Sequence, residues 1–162
     1  MRAIPYLLYL FLVGLHMVVL RELTAIYTFE LNLPALIVIA VALYKEDVPT
    51  TWFGFAVGLV LAAGGPPSMI GWQALWMAVV ALSACYVRER LNLDALKAKV
   101  LLILGGVLVH NVIVLILGGF DRFFVNLLTV ALAGALYTTV LGWLFLLIKE
   151  RRITYKRVKA WF

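Results

Sequence analysis

The chain has 162 residues, of which 65% are hydrophobic and 14% charged, and its formal net charge is +6 at pH 7. Soluble domains use about half apolar and about a quarter charged residues, so this composition excludes an ordinary soluble domain. A single cysteine, Cys85, excludes an internal disulfide and a metal site built from cysteines. We therefore expect one small, all-α integral membrane protein.

Charged residues and helix breakers divide the sequence into six predicted transmembrane helices. The predicted spans are residues 4–20, 31–44, 51–63, 69–87, 100–117 and 123–148. The first is interpreted as a retained span, because Arg21 and Glu22 follow it without a small-residue cleavage site. The second and third are short: residues 31–44 rise only about 21 Å as a helix, against a hydrocarbon core of about 30 Å. We expect these two either to borrow flanking residues or to cross only part of the bilayer.

The basic residues set the predicted orientation, because Lys and Arg near span ends favour the cytoplasmic side. The sequence has 14 basic residues. If both termini of a six-span chain are cytoplasmic, only Arg21 and Arg122 lie on the outer side. The predicted inner set is Arg2, Lys45, Arg88, Arg90, Lys97, Lys99, Lys149, Arg151, Arg152, Lys156, Arg157 and Lys159. We therefore predict a six-span domain over residues 1–148 and a basic cytoplasmic tail over residues 149–162. The positive charge is assigned to anionic membrane lipids rather than to nucleic acid.

Two consecutive predicted helices carry faces of small residues, on either side of the break Gly64-Gly65-Pro66-Pro67. Such faces let a neighbouring backbone approach closely, which favours packing between helices in lipid. The residues concerned are Gly54, Gly58 and Ala62 before the break and Gly71, Ala74, Ala78 and Ala81 after it. Two interpretations stay open. The faces pack within this chain, or they receive a helix of a partner.

Polar residues inside the predicted spans gather in the outer halves of spans one, four, five and six. They are His16, Gln73, His110, Asn111 and Asn126. One interpretation is a polar pocket open to the outside. The other is a set of hydrogen bonds between helices, worth about 0.6–2 kcal/mol each. Two histidines without a third ligand do not predict a metal site.

Acidic residues are confined to predicted span ends and loops, so no carboxylate is expected at mid-membrane. Intramembrane ionisable groups are the usual carriers of transport or catalytic chemistry. The sequence also has no HExxH, GxSxG or phosphate-loop motif. We predict a protein that is not an enzyme, with no catalytic residue, cofactor or metal.

The order of motifs resembles a known family. An apolar first span is followed by LNLPALIVIAVALYK around Pro34, then by GFAVGLVLA with Gly54 and Gly58. The Gly-Pro break and Gly71 precede an alanine-lined helix. This pattern is similar to that of MreD, the small rod shape-determining membrane protein of bacteria, over about Leu7 to Ile148. MreD-like chains often carry an acid shortly after the second glycine, where this chain has Ala62 and Ala63.

The resemblance implies a non-enzymatic membrane scaffold of the bacterial cell-elongation machinery that helps to position peptidoglycan synthesis. It implies MreC as the partner and, through MreC, the RodA glycosyltransferase, a class B penicillin-binding protein and MreB filaments. MreC or a second copy of this chain is then expected on one of the two small-residue faces.

The alternative function is substrate binding for import. MreD-like chains resemble the S components of energy-coupling-factor vitamin transporters in size and span number, and we expect a six-span fold of that type. The outward polar residues would suit such a vitamin pocket. Fold alone does not decide between the two functions.

Overall fold

The computed structural model describes residues 4–20, 31–64, 70–90, 95–118 and 122–150, and these form six helices. Helix α1 spans Ile4–Leu15 and continues as a π-helical turn, His16–Leu20. The next four are α2 (Leu33–Tyr44), α3 (Asp47–Ala62), α4 (Ile70–Arg90) and α5 (Leu96–Gly118). Helix α6 covers Phe123–Lys149 and contains a π-helical segment, Leu127–Leu132. The predicted all-α fold of six helices is confirmed for the described part of the chain.

Two of the described helices are long and apolar enough to cross a bilayer. They are Leu96–Leu117, with 22 residues, and Phe123–Lys149, with 27. Three others are shorter apolar helices, Ile4–Val19, Leu33–Tyr44 and Asp47–Ala62. Helix α3 begins at Asp47 rather than at residue 51, because an acidic side chain is favourable at the N-terminus of a helix and Pro49 is tolerated in the first turn.

Helix α2 lies at the centre of the bundle and contacts each of the other five helices. Its sequence, LPALIVIAVALY, is apolar on every side, which is the pattern of a helix buried all round. The buried residues are Pro34, Ala35, Leu36, Ile37, Val38, Ile39, Val41, Ala42 and Leu43. At 12 residues it rises only about 18 Å. The second predicted span therefore corresponds to a short central helix.

Glycines on α5 and α6 make room for the side chains of α2. A Cβ atom added at Gly106 would lie 2.6 Å from Ile39 Cδ1, and one added at Gly142 would lie 2.8 Å from Leu36 Cδ1. Both distances are too short for carbon atoms in contact. These two glycines are therefore the points where α2 packs most closely against α5 and α6.

The small-residue faces of α3 and α4 pack against each other. A Cβ atom added at Gly54 would lie 2.7 Å from the Met77 carbonyl oxygen and 2.8 Å from Ala81 Cβ. One added at Gly58 would lie 2.5 Å from Ala74 Cα and would also collide with the Gln73 carbonyl group. These contacts lie within the chain, which is the first of the two interpretations drawn from the sequence.

The remaining members of the two faces differ in burial. Ala62 is fully buried and Ala78 half-buried, whereas Gly71 is exposed and has open space where a Cβ atom would lie. Gly71 therefore belongs to the outer surface of α4 and not to the contact with α3.

Candidate functional site

A layer of hydrogen-bonded polar groups lies at the N-terminus of α2. Asn32 caps this helix, because its Oδ1 accepts the Ala35 N–H at 3.1 Å. Asparagine is a favoured N-cap, and Pro34 suits the first turn, where an N–H would lack a partner. The sequence therefore fixes the start of α2 at this point in the bundle.

Asn32 also connects α2 to α5 and α6. Its Nδ2 donates to Asn111 Oδ1 at 2.7 Å, and its backbone N–H donates to Thr138 Oγ1 at 3.0 Å. Asn111 Nδ2 in turn donates to the Ala131 carbonyl oxygen at 3.1 Å, and Thr138 Oγ1 donates to the Gly134 carbonyl oxygen at 2.8 Å. We call Asn32, Asn111 and Thr138 the polar layer.

The two histidines adjoin this layer in different ways, His16 through a hydrogen bond and His110 as a neighbour in the chain. His16, 2% exposed, has its Nε2 3.1 Å from the carbonyl oxygen of Leu31, the residue before Asn32. His110 precedes Asn111 on α5 and is 7% exposed, and its Nδ1 has no hydrogen-bond partner among the described residues. The structure thus connects His16 to the polar layer through the Leu31–Asn32 backbone.

Gln73 and Asn126 are the other two polar residues singled out from the sequence. Gln73 lies on the side of α4 that meets α3, where its backbone carbonyl group faces Gly58. Asn126 is half-buried near the start of α6, and its backbone N–H donates to the Arg122 carbonyl oxygen at 2.9 Å. Within the described ranges, no hydrogen bond joins either side chain to Asn32, Asn111 or Thr138.

Sequence reasoning did not identify Asn32 or Thr138 as site residues. Asn32 is followed by Leu33-Pro34, which is an N-cap signal and could have been used to start the helix there. Thr138 has no comparable signal, because a threonine hydroxyl bonded to a carbonyl of its own helix is common in membrane helices.

Charged groups gather at the opposite end of α2. Arg88 Nη1 donates to the carbonyl oxygens of Ala42, at 2.6 Å, and of Lys45, while its Nη2 pairs with Asp47 Oδ1 at 2.7 Å. One guanidinium group therefore joins the end of α4 to the α2–α3 turn. Its planar fork of donors suits this task better than a lysine ammonium group.

Two lysines lie at the same end of the bundle as these Arg88 contacts. Lys99 pairs with Glu150, and Lys149 Nζ lies 3.2 Å from the centroid of the Tyr44 ring. Lys149 lies just beyond the predicted span, residues 123–148. This end of the bundle is therefore a concentration of positive charge.

The described residues contain no group of three or more His, Cys, Asp or Glu side chains that could hold a metal ion. Chemically, the polar layer offers neutral amide and hydroxyl groups in a low-dielectric environment, where hydrogen bonds are strong. The class of protein that the described part defines is an all-α bundle of six helices, in which part-buried polar contacts join α2, α5 and α6. No protein-family model matches the chain, and no curated protein or solved structure matches it.

Proposed function

We propose that this chain is a six-span protein of the bacterial inner membrane with both termini in the cytoplasm. The outer surface of the bundle supports this: Ile4, Leu7, Leu8 and Phe11 on α1 are all at least 63% exposed. A soluble protein rarely exposes a continuous apolar surface of this kind. The basic residues Lys45, Arg88, Lys99 and Lys149 share one end of the bundle, as the cytoplasmic side of a membrane protein requires.

The polar layer fits the same placement. Asn111 lies twelve residues after Lys99, and Thr138 lies twelve residues before Glu150. Both are therefore about 18 Å from the Lys99–Glu150 pair along their helices, slightly past the middle of a core about 30 Å thick. Helix α2 then occupies mainly the cytoplasmic half of the bilayer, which accounts for its short length.

Within the membrane, the proposed role is a non-enzymatic scaffold of cell elongation, as in the MreD family. The observation that carries this proposal is that Asn32, Asn111 and Thr138 form hydrogen bonds between helices. Such bonds fix the relative positions of α2, α5 and α6. A fixed bundle is what a platform for MreC and, through it, for RodA, a class B penicillin-binding protein and MreB requires.

The exposed face of α4 is the proposed surface for the single span of MreC. Large apolar side chains follow each other there at spacings of three and four, which is the spacing of a helix-packing seam. The residues are Trp72, Leu75, Val79, Leu82 and Tyr86, each at least 39% exposed. Gly71 lies four residues before Leu75 on the same face and adds room for a close approach. The α3 face around Gly54 and Gly58 is already filled by α4.

Co-purification tests this surface. Replacing Leu75 and Leu82 together by Ala is expected to reduce the MreC recovered with the tagged protein at least about fivefold, because a loss of about 1 kcal/mol from the pair corresponds to that factor. Leu101 and Leu136, exposed on α5 and α6 to a similar degree, provide the matched control pair. Equal loss from both pairs, or from neither, would contradict the assignment to α4.

Cell shape after gene deletion and the neighbouring reading frames test the function itself. Deleting the gene from a rod-shaped host is expected to give rounded cells, and an MreC-like reading frame is expected beside it. Vitamin import predicts instead an adjacent transporter ATPase and a stoichiometric vitamin in the purified protein, detectable by mass spectrometry. Either of these two results would replace the scaffold by the transport function.

A further inference from the structure

An apolar cavity lies between α1, α2 and α6. Its volume is about 330 Å³, within the range of about 300–1,000 Å³ usual for ligand sites. Leu36 and Val41 contribute from α2, with Leu12 from α1 and Leu141 and Phe145 from α6. Leu12 and Phe145 are also exposed, so the cavity reaches the outer surface of the bundle. It is therefore accessible from the surface that the proposed function places in lipid.

The cytoplasmic end of this cavity is positively charged. Lys45 and Lys149 complete its lining there, beside Tyr44. Within the described ranges, neither lysine has a carboxylate partner within 4.0 Å. The neighbouring carboxylates of Asp47 and Glu150 are bound by Arg88 and Lys99 respectively, and Glu46 is exposed on the α2–α3 turn.

The length of the cavity matches one leaflet of a bilayer. Its lining runs along α2 from Leu33 to Lys45, which is about 18 Å of helix. The hydrocarbon part of one leaflet is about 15 Å thick, half of a core of about 30 Å. An apolar groove of this length with two cations at its cytoplasmic end is complementary to a lipid with an anionic headgroup, and the cytoplasmic leaflet is rich in such lipids.

We propose that this cavity binds one anionic glycerophospholipid of the cytoplasmic leaflet. An acyl chain lies along α2 between α1 and α6, and the phosphate group lies at Lys45 and Lys149. The lipid then fills the groove between the first and the last helix. This inference rests on the membrane placement within the proposed function, and it is independent of MreC.

The test is lipid binding by the full-length protein in an uncharged detergent, measured by native mass spectrometry with phosphatidylglycerol or phosphatidylcholine added. The variant Lys45→Gln/Lys149→Gln is expected to bind phosphatidylglycerol about 25-fold more weakly, about fivefold for each lysine. Lys97→Gln is the matched control. Lys97 is an exposed lysine at the start of α5, and it does not line this cavity. Its affinity is expected to stay within about twofold of the parent, well inside the fivefold effect of one lysine.

A second variant tests the apolar part of the site. Ala40 lines the cavity from α2 and is half-buried. Ala40→Phe is expected to fill the space and to abolish phosphatidylglycerol binding while both lysines remain. Undiminished binding in either the lysine or the Ala40 variant would overturn the proposal. An equal loss in Lys97→Gln would also overturn it, in favour of diffuse attraction to the basic surface.

The same variants separate this inference from the proposed function. Recovery of MreC is measured from cells, whereas lipid binding is measured on the purified chain without a partner. If the lysine and Ala40 variants lose lipid binding but still recover MreC, the result supports the lipid site independently of the scaffold role. Unchanged lipid binding in the lysine and Ala40 variants, with MreC recovered as before, rejects the lipid site and leaves the scaffold role standing.

Discussion

Asn32 and Asn111, separated by 79 positions in the chain, are joined by a hydrogen bond of 2.7 Å between the start of α2 and the interior of α5. A double-mutant cycle with Asn32→Ala and Asn111→Ala measures the worth of this bond. We expect a coupling energy of about 0.6 kcal/mol and no more than about 1.7 kcal/mol, the average and the maximum for hydrogen bonds between membrane helices. Thermal unfolding in detergent provides the measurement. Strictly additive losses would show that the two side chains act separately.

Thr138 and Thr139 form a matched pair for the second prediction. Both are buried, and each hydroxyl donates to a carbonyl oxygen four residues earlier, but Thr138 Oγ1 also accepts the Asn32 N–H. Thr138→Val leaves that partly buried N–H without a partner and is expected to cost about 1–3 kcal/mol. Thr139→Val removes only a bond within its own helix and is expected to cost less than Thr138→Val, at most about 1 kcal/mol. Equal effects on the unfolding temperature would argue against the role given to Thr138.

Gly58 provides the third prediction, because a Cβ atom there would collide with the α4 backbone at Gln73 and Ala74. Gly58→Ala is expected to force α3 and α4 apart at a cost of about 1–3 kcal/mol. Gly71→Ala is the control, since a Cβ atom at that position meets nothing within 4 Å. It is expected to leave the unfolding temperature unchanged or slightly raised, because Ala favours a helix over Gly. An unchanged unfolding temperature for Gly58→Ala would show that α3 and α4 can separate at this contact without loss of stability.

Arg88 provides the fourth prediction. It bonds two carbonyl oxygens at the C-terminal end of α2 and the carboxylate of Asp47. Arg88→Lys keeps the charge but loses the planar fork of donors, and is expected to cost about 1–3 kcal/mol. Arg90, exposed and placed over the Tyr86 ring at 5.0 Å, is the control. Arg90→Lys is expected to stay within about 0.5 kcal/mol of the parent. A similar loss in both variants would point to a general cost of replacing Arg by Lys rather than to the bonds made by Arg88.

The number and type of helices could be predicted from the sequence because apolar runs of helical length are local features. The spacing of Gly54 and Gly58 likewise indicates a close approach, and the structure has one between α3 and α4. Spacing cannot identify the neighbour, because α4 and a partner helix offer the same small side chains. The N-cap role of Asn32 could also have been predicted from the residues next to it in the sequence. Its bonds to Asn111 and Thr138 were not, since they depend on how helices far apart in the chain align.

The central position of α2 has a consequence for biosynthesis. The groups that receive its N-terminus lie 79 and 106 positions later in the chain, at Asn111 and Thr138. Gly106 and Gly142, which accommodate its side chains, also belong to α5 and α6. When only the first four helices of a nascent chain have left the ribosome, the hydrogen-bond partners of the α2 N-terminus have not yet been made. The N-terminal half completes its packing only after the last helix has left the ribosome.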